Sequence, residues 1–192
     1  METLETLGII SLAVWGVSEI TISLVSLGNR SRTTSAGGDR YSYIIVWIST
    51  LFPLFLAFLM LANGFGSLAA LFPLLGYTGC LVLLFGVTVR LAAVATLRRQ
   101  FTEKVSLLEK HELVDTGIYG VIRHPAYLGH LASLLGIGLI LGNWVSLAAL
   151  VVLPLGGILY RIHVEEKALL GHFGPAYQEY ASRTKRLLPG IW

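Results

Sequence analysis

Five apolar blocks separated by short polar or glycine-containing stretches organise the chain: roughly Leu7–Leu27, Tyr43–Leu61, Leu68–Leu97, Tyr127–Leu141 and Val145–Tyr160. The first three reach the roughly 20 residues that a helix needs to cross the hydrocarbon core. The last two are about 15–16 residues each, about 24 Å of helix at 1.5 Å per residue. Gly142-Asn143 between them is a turn signal. The pattern predicts an all-α fold: an integral membrane helical bundle of five transmembrane helices. Helices 4 and 5 form a tight hairpin that either crosses a thin region or borrows flanking residues to span. A single integral membrane domain over residues 1–192 is expected, with three membrane helices in 1–97 and a loop, the hairpin and a tail in 98–192. Ser31–Gly38 is a short polar loop, and no large internal repeat or low-complexity tract is visible.

Composition supports this reading. The chain is 55% hydrophobic and 13% charged, with mean hydropathy +0.73, where a soluble domain carries about a quarter charged residues. The N-terminus does not read as a signal peptide, because Glu2 and Glu5 stand where a basic segment would and Leu7–Leu27 is too long. That block is expected to remain as the first membrane helix. Cys80, the single cysteine, lies in an apolar run and excludes an internal disulfide.

Charge placement gives an orientation. Arg30, Arg32 and Arg40 fall between helices 1 and 2, and Arg98, Arg99, Lys104, Lys110 and Arg123 between helices 3 and 4. Lys167, Arg183, Lys185 and Arg186 follow helix 5, whereas Asn63–Gly66 and Gly142–Asn143 carry no charge. The positive-inside rule then places the N-terminus out and the C-terminus cytoplasmic. Loop 98–126 and tail 161–192 therefore share one side and can meet. The net charge of +3 is scattered and offers no clustered basic face, so nucleic acid is not an expected partner. Glu19, Arg90 and His130 sit inside apolar blocks, where a charge costs roughly 2.5–3.5 kcal/mol on insertion scales, so they should face protein or water. Arg90 is expected to snorkel, and Glu19 reads equally as a helix contact or a functional group.

The candidate chemistry lies at the ends of the predicted hairpin. Tyr119, Arg123, His124, Tyr127, Arg161, His163, Glu165 and Glu166 gather where two apolar segments begin and end. Polar groups beside hydrocarbon are expensive and tend to be kept for function, which points to an active site at a membrane surface. Each feature also has a plain reading. Arg123-His124-Pro125 suits a helix start, Tyr119 and Tyr127 suit interfacial anchors, and Glu165-Glu166 suits a solvated helix face. None of these explains their co-location. The five histidines and one cysteine show no metal-ligand spacing, so no metal is expected.

Two separated stretches carry a resemblance. His111-Glu112-Leu113-Val114-Asp115-Thr116-Gly117-Ile118-Tyr119 followed by Arg123-His124-Pro125-Ala126-Tyr127-Leu128-Gly129 resembles the isoprenylcysteine carboxyl methyltransferase family. So do Arg161, Glu165-Glu166 and Phe173-Gly174-Pro175-Ala176-Tyr177-Gln178-Glu179-Tyr180. The match covers about the last 90 residues, and the wider superfamily includes phospholipid N-methyltransferases and membrane sterol reductases. The resemblance implies S-adenosyl-L-methionine as methyl donor, S-adenosyl-L-homocysteine as product, and a lipid-borne acceptor arriving from the bilayer. It implies that His111, Leu113 and Val114 contact the cofactor, with Glu112 contributing at most backbone. Tyr119, His124, Pro125 and Tyr127 would line the same site, Glu165 would face the cofactor, and Arg161 would face the acceptor carboxylate. Nothing is carried over for Gln100–Lys110.

The residue chemistry is compatible. The cofactor's carboxylate needs a cation or N–H donor, for which His124 or Arg123 is suitable. Leu113, Val114 and the Tyr119 ring can cover an adenine face. Glu165 can bind ribose hydroxyls or the amino group, or place negative charge near the sulfonium. Arg161 can grip a carboxylate with two prongs, which lysine cannot reproduce. The expected acceptor is the carboxylate of an isoprenylated cysteine, and membrane lipids are expected partners. Methylation of a phospholipid amine in the same architecture is the alternative. NADPH-dependent sterol-type reduction and a non-enzymatic membrane role stand behind it. The tail around Tyr177 and Tyr180 is expected to form a short amphipathic segment that folds over the cofactor. Sequence leaves oligomeric state open.

Overall fold

The computed structural model describes residues 2–29, 33–34, 40–68, 71–103, 107–108 and 112–192. Six helices dominate: α1 (Glu2–Asn29), α2 (Arg40–Asn63), α3 (Phe72–Leu97), α4 (Pro125–Ile140), α5 (Trp144–Phe173) and α6 (Pro175–Arg183). Four of them, α1, α2, α3 and α5, are long and apolar enough to cross a membrane, and α4 is a shorter apolar helix. A two-residue antiparallel pairing of β1 (Thr33–Thr34) with β2 (Leu107–Leu108) is the small departure from the all-α expectation.

Local chemistry sets the helix ends. Pro125 opens α4 and Pro175 opens α6, where a missing N–H costs nothing. The Asn143 side chain accepts from Ser146 N at 3.0 Å and caps α5. The chief difference from the hydropathy reading is α5, which continues past Tyr160 for thirteen more residues to Phe173. The stretch Arg161–Leu170 is polar in part, yet its Glu, Lys, Ala and Leu residues are good helix formers. The helix stops at Gly174, whose φ of 55° suits glycine alone.

The tightest packing joins α3 to α4 through glycines spaced seven apart on each helix. A Cβ on Gly86 would lie 2.5 Å from Ser133 N and 2.6 Å from Gly129 O; one on Gly136 would lie 2.4 Å from Leu83 N. Gly79 and Gly129 meet backbone equally closely. Helix association in lipid relies on such close approach, since apolar side chains gain little there. Around this seam, α1 packs on α3, α2 on α5 and α4 on α5, but α1 and α2 scarcely touch among the described residues. Leu83, Val87, Leu134, Ile137, Leu150 and Ala57 form the central buried cluster.

The loops sort to two ends. Trp144 N donates to Gly66 O at 3.0 Å and Leu68 N to Gly142 O at 2.7 Å, joining the two uncharged loops. At the other end Arg123 N donates to Lys185 O at 2.7 Å and His124 N to Arg186 O at 3.0 Å. Tail and pre-α4 loop thus pair like strands at Ile122 and Lys185.

Inside the bundle, Arg90 on α3 does not snorkel. Its guanidinium grips Glu19 of α1 through Nε at 2.8 Å and Nη2 at 2.9 Å, and Nη1 donates to Ala126 O at 3.2 Å. His130 of α4 lies 3.9 Å from the same carboxylate and shares a hydrogen bond with Thr50 of α2 at 3.1 Å. Buried charges require such partners, and here they tie four helices together.

Candidate active site

The chain between α3 and α4 approaches the first turn of α4 through a 3-10 turn, Gly117–Gly120, entered at Gly117 with φ 59°. This turn buries the Tyr119 ring, and the Tyr119 backbone carbonyl accepts from the Tyr180 hydroxyl of α6 at 2.8 Å. Asp115 pairs with Arg183 at the end of α6. The amphipathic segment expected around Tyr177 and Tyr180 is therefore α6, and both phenols point inward, each 4% exposed. Burial pushes the Tyr119 and Tyr177 phenols above their ordinary range, with Glu165 adding to the shift at Tyr119 and Glu166 at Tyr177. Tyr180 is pushed up to about 12, again by burial. All three phenols are neutral at physiological pH.

A cavity lies beneath α6, lined by Leu97, Gln100, Phe101, Thr102, Glu112, Leu113, Val114, Tyr119, Arg123, His124, Ala126, Tyr127, Arg161, Glu165, Ala168, Leu169, Phe173, Tyr177 and Tyr180. Of the residues singled out from sequence, Glu112, Leu113, Val114, Tyr119, His124, Tyr127, Arg161 and Glu165 meet here. Pro125 is fully buried at the start of α4, behind His124 and off the cavity wall. His111 lies outside the described residues.

Three side chains form a relay along one wall. Tyr127 donates its hydroxyl to Glu165 Oε2 at 2.5 Å and accepts from Arg161 Nε at 3.1 Å. Arg161 also donates from Nη1 to Ser42 Oγ at 2.8 Å and from Nη2 to Glu103 O at 2.5 Å. It is 3% exposed. The His124 ring stacks on Tyr127 at 5.5 Å.

Arg123 borders the cavity, but its guanidinium is engaged by protein acceptors. It donates to Glu166 Oε1 at 2.9 Å, Ala181 O at 2.8 Å and Thr184 O at 2.5 Å. Glu166 also receives Arg186 at 2.9 Å and lies 3.4 Å from His124 Nε2. This contact with Glu166 holds the Arg186 guanidinium above its ordinary range. Glu166 is thus no solvated carboxylate but a clasp holding the tail to the pre-α4 loop. Sequence reasoning missed this role, and missed Gln100, Phe101, Thr102, Glu103 and Ser42. Gln100 Oε1 accepts Glu112 N at 2.9 Å across twelve residues; no spacing signal marks such a contact.

A second cavity abuts the first, at Phe101, Thr102, Ala126, Tyr127 and Arg161. It runs into the bundle between α1 and α2, lined mainly by Trp15, Tyr43, Val46, Trp47, Leu51 and Leu54, with the Glu19–Arg90–His130–Thr50 cluster on one side. The upper cavity mixes carboxylates with apolar surface, and Tyr177 presents there a buried hydroxyl with no hydrogen-bond partner among the described residues. That donor set suits an amphiphilic nucleoside rather than a metal. Among the described residues no group of three potential ligands gathers.

Comparison with known proteins places this arrangement among membrane methyltransferases. Residues 78–171 match the sequence model of the isoprenylcysteine carboxyl methyltransferase family. A probable protein-S-isoprenylcysteine O-methyltransferase of Oryza sativa subsp. indica is 30% identical over 94% of this chain and 93% of its own length. Protein-S-isoprenylcysteine O-methyltransferase A of Arabidopsis thaliana is 36% identical over 59% of this chain and 58% of its own. The solved structure of the eukaryotic intramembrane Ras methyltransferase, an isoprenylcysteine carboxyl methyltransferase, superposes with a TM-score of 0.60 at 26% identity. That match covers 75% of this chain and 52% of the other, so the chain spans about half the length of that structure. The chain belongs to the isoprenylcysteine carboxyl methyltransferase family. It is a multi-pass membrane protein.

Proposed function

We propose that this chain transfers the methyl group of S-adenosylmethionine to the C-terminal carboxylate of an isoprenylated cysteine held in the bilayer. The observation that carries the reading is that two cavities, the second more apolar than the first, share a wall that includes Tyr127 and Arg161. The upper cavity takes the nucleoside and the lower one takes the lipid. Leu113 and Val114 cover the adenine. Glu165 binds ribose or ammonium, His111 and His124 complete the polar contacts, and Tyr119 and Tyr177 close the site under α6.

The cofactor supplies an electrophilic methyl group on a sulfonium. Arg161 grips the acceptor carboxylate and sets its oxygen in line with that methyl. Such a carboxylate is ionised near neutral pH, so no general base is needed, and the part left to the chain's own residues would be to orient it. Alignment then carries the rate, and orientation of this kind is worth up to about 7–11 kcal/mol. The Glu166 clasp and α6 exclude water above the site. We read α4 and α5 as a membrane hairpin that brings the crossings to five. The N-terminus would lie outside and the cofactor cavity would face the cytoplasm, in accord with the basic residues at that end.

Calorimetric titration of the detergent-purified protein with S-adenosylhomocysteine and with NADPH tests the class. Binding of the first alone is expected, and binding of NADPH alone would overturn the reading. Methyl transfer is then expected to N-acetyl-farnesylcysteine and not to phosphatidylethanolamine; the reverse result would reassign the acceptor.

A further inference from the structure

One face of α1 is turned to the stretch that follows α3. Glu19, Ile22, Ser23, Ser26 and Asn29 recur at helical spacing and so share a side of that helix. Glu19 holds Arg90 of α3; beyond it the contacts pass to the segment 98–103. Ile22 is fully buried and packs with Val94 and Phe101. Asn29 Nδ2 donates to Arg98 O at 3.1 Å and to Phe101 O at 2.9 Å. Arg98, at φ 51°, is the one non-glycine residue with a positive φ among the described residues. Side chains keep such a backbone only where neighbouring contacts hold it. The Asn29 amide is one of those contacts.

Glu103 ends the segment and is held at three points. Its N–H donates to Ser26 Oγ at 2.8 Å, and its Oε1 accepts from Ser23 Oγ at 2.9 Å. Its carbonyl accepts from Arg161 Nη2 at 2.5 Å. One residue thus bridges α1 to α5. Among the described residues, Ser23 and Ser26 line neither cavity. Ser26 is nevertheless fully buried, and its oxygen sets where the Glu103 amide can lie.

We infer that Ser23 and Ser26 are positioning residues for Arg161, acting through Glu103. The guanidinium is a planar fork. A carbonyl fixed at Nη2, with Tyr127 at Nε and Ser42 at Nη1, sets the plane in which that fork can meet a carboxylate. Without the Ser26 oxygen, the Glu103 carbonyl shifts and the guanidinium tilts with it. The charge at Arg161 is unchanged, so the loss falls on alignment rather than on binding. This inference rests on the proposed function, because it takes Arg161 to orient the acceptor carboxylate.

The test measures kcat and KM for N-acetyl-farnesylcysteine with the purified full chain, wild type first. Ser26→Ala is expected to lower kcat about tenfold and to leave KM within about threefold. In an Arg161→Lys background the fork is already gone, and the same substitution is expected to cost less than about twofold more. A further tenfold loss there would overturn the inference, because Ser26 would then act by another route. Wild-type kcat in Ser26→Ala would overturn it too. Should Ser26→Ala not fold, the half-buried Glu103 side chain supplies the second pair of variants. Glu103→Gln keeps an oxygen for the Ser23 hydroxyl and is expected to turn over near the wild-type rate. Glu103→Ala removes that oxygen and is expected to be about fivefold slower. Equal losses in the two would overturn the inference, since Glu103 also lines the lower cavity and would then act there by its charge. A wild type that binds S-adenosylhomocysteine but methylates no prenylcysteine would overturn the acceptor reading, and the positioning role with it.

Discussion

Tyr127 on α4 donates its hydroxyl to Glu165 on α5 in a hydrogen bond of 2.5 Å, and the same hydroxyl oxygen accepts from Arg161 Nε at 3.1 Å. The bond lies where the two cavities meet, so it fixes the Arg161 guanidinium relative to the Glu165 carboxylate. A hydrogen bond to a charged partner is worth about 1.5–3 kcal/mol. Tyr127→Phe should therefore lower kcat about ten- to hundredfold, with the protein still folded by thermal denaturation. Wild-type turnover in this variant would show that the relay has no part in alignment.

Arg161 spreads three donors in different directions, to Tyr127, Ser42 and Glu103. Lysine supplies one point charge and no planar fork. Arg161→Lys should cut turnover by at least tenfold and leave S-adenosylhomocysteine affinity within about threefold, an energy difference below about 1 kcal/mol. Equal losses of both would show that the guanidinium holds the cofactor rather than the acceptor.

The Glu19–Arg90 pair makes a prediction about stability. Removing one partner leaves a buried charge alone, at a cost of about 3–5 kcal/mol, whereas replacing both with apolar residues is often close to neutral. Glu19→Leu and Arg90→Met should each lower the melting temperature in detergent sharply, and the double variant should recover most of the loss. Additive losses would mean that each residue acts through other contacts.

Two glycine substitutions separate seam from surface. Gly86→Ala drives a methyl against Ser133 N and Gly129 O, backbone atoms that cannot step aside; overpacking of this kind costs about 1–3 kcal/mol. Gly156→Ala meets nothing within 4 Å and, as a helix-interior glycine, should stabilise by roughly 0.5–1 kcal/mol. Thermal denaturation of both variants against the wild type checks the contrast, which equal melting temperatures would contradict.

Alkaline pH should loosen the tail. Tyr180 titrates near about 12 when folded and near 10 when unfolded, and Tyr119 and Tyr177 are also raised. Above about 10 the unfolded chain has lost protons that the native state keeps. Stability is therefore intact below pH 10 and falls as pH rises towards 12. Limited proteolysis at pH 8 and 11 should show faster cleavage around α6 at the higher pH, and Tyr180→Phe should reduce that difference. A tail equally resistant at both pH values would sink the assignment.

Much of this was legible in the chain because hydrocarbon imposes a simple requirement on it. Long apolar blocks gave α1, α2 and α3, and the charge distribution foretold which loops meet. The cavity residues were legible in part, since His124, Tyr127 and Glu165 carry a motif whose local order survives folding. What stayed hidden depends on distance in space. The partner of Glu19 is 71 residues away on α3, and Ser42 meets Arg161 across 119 residues. Hydropathy ended α5 at Tyr160 because its last turns are polar, although helix propensity continues to Phe173. Nothing in composition separates Glu165, facing the cavity, from Glu166, which clamps the tail; a helical step of about 100° does.

The glycine seam between α3 and α4 divides the molecule into parts that can yield and a part that cannot. Backbone lies against backbone there at Gly79, Gly86, Gly129 and Gly136, which leaves little room for a shift, so these two helices form a fixed post. If the two cavities hold a nucleoside and a lipid as proposed, entry to them falls to the elements packed around that post: α6 over the first cavity, and α1 and α2, which scarcely touch among the described residues, beside the second.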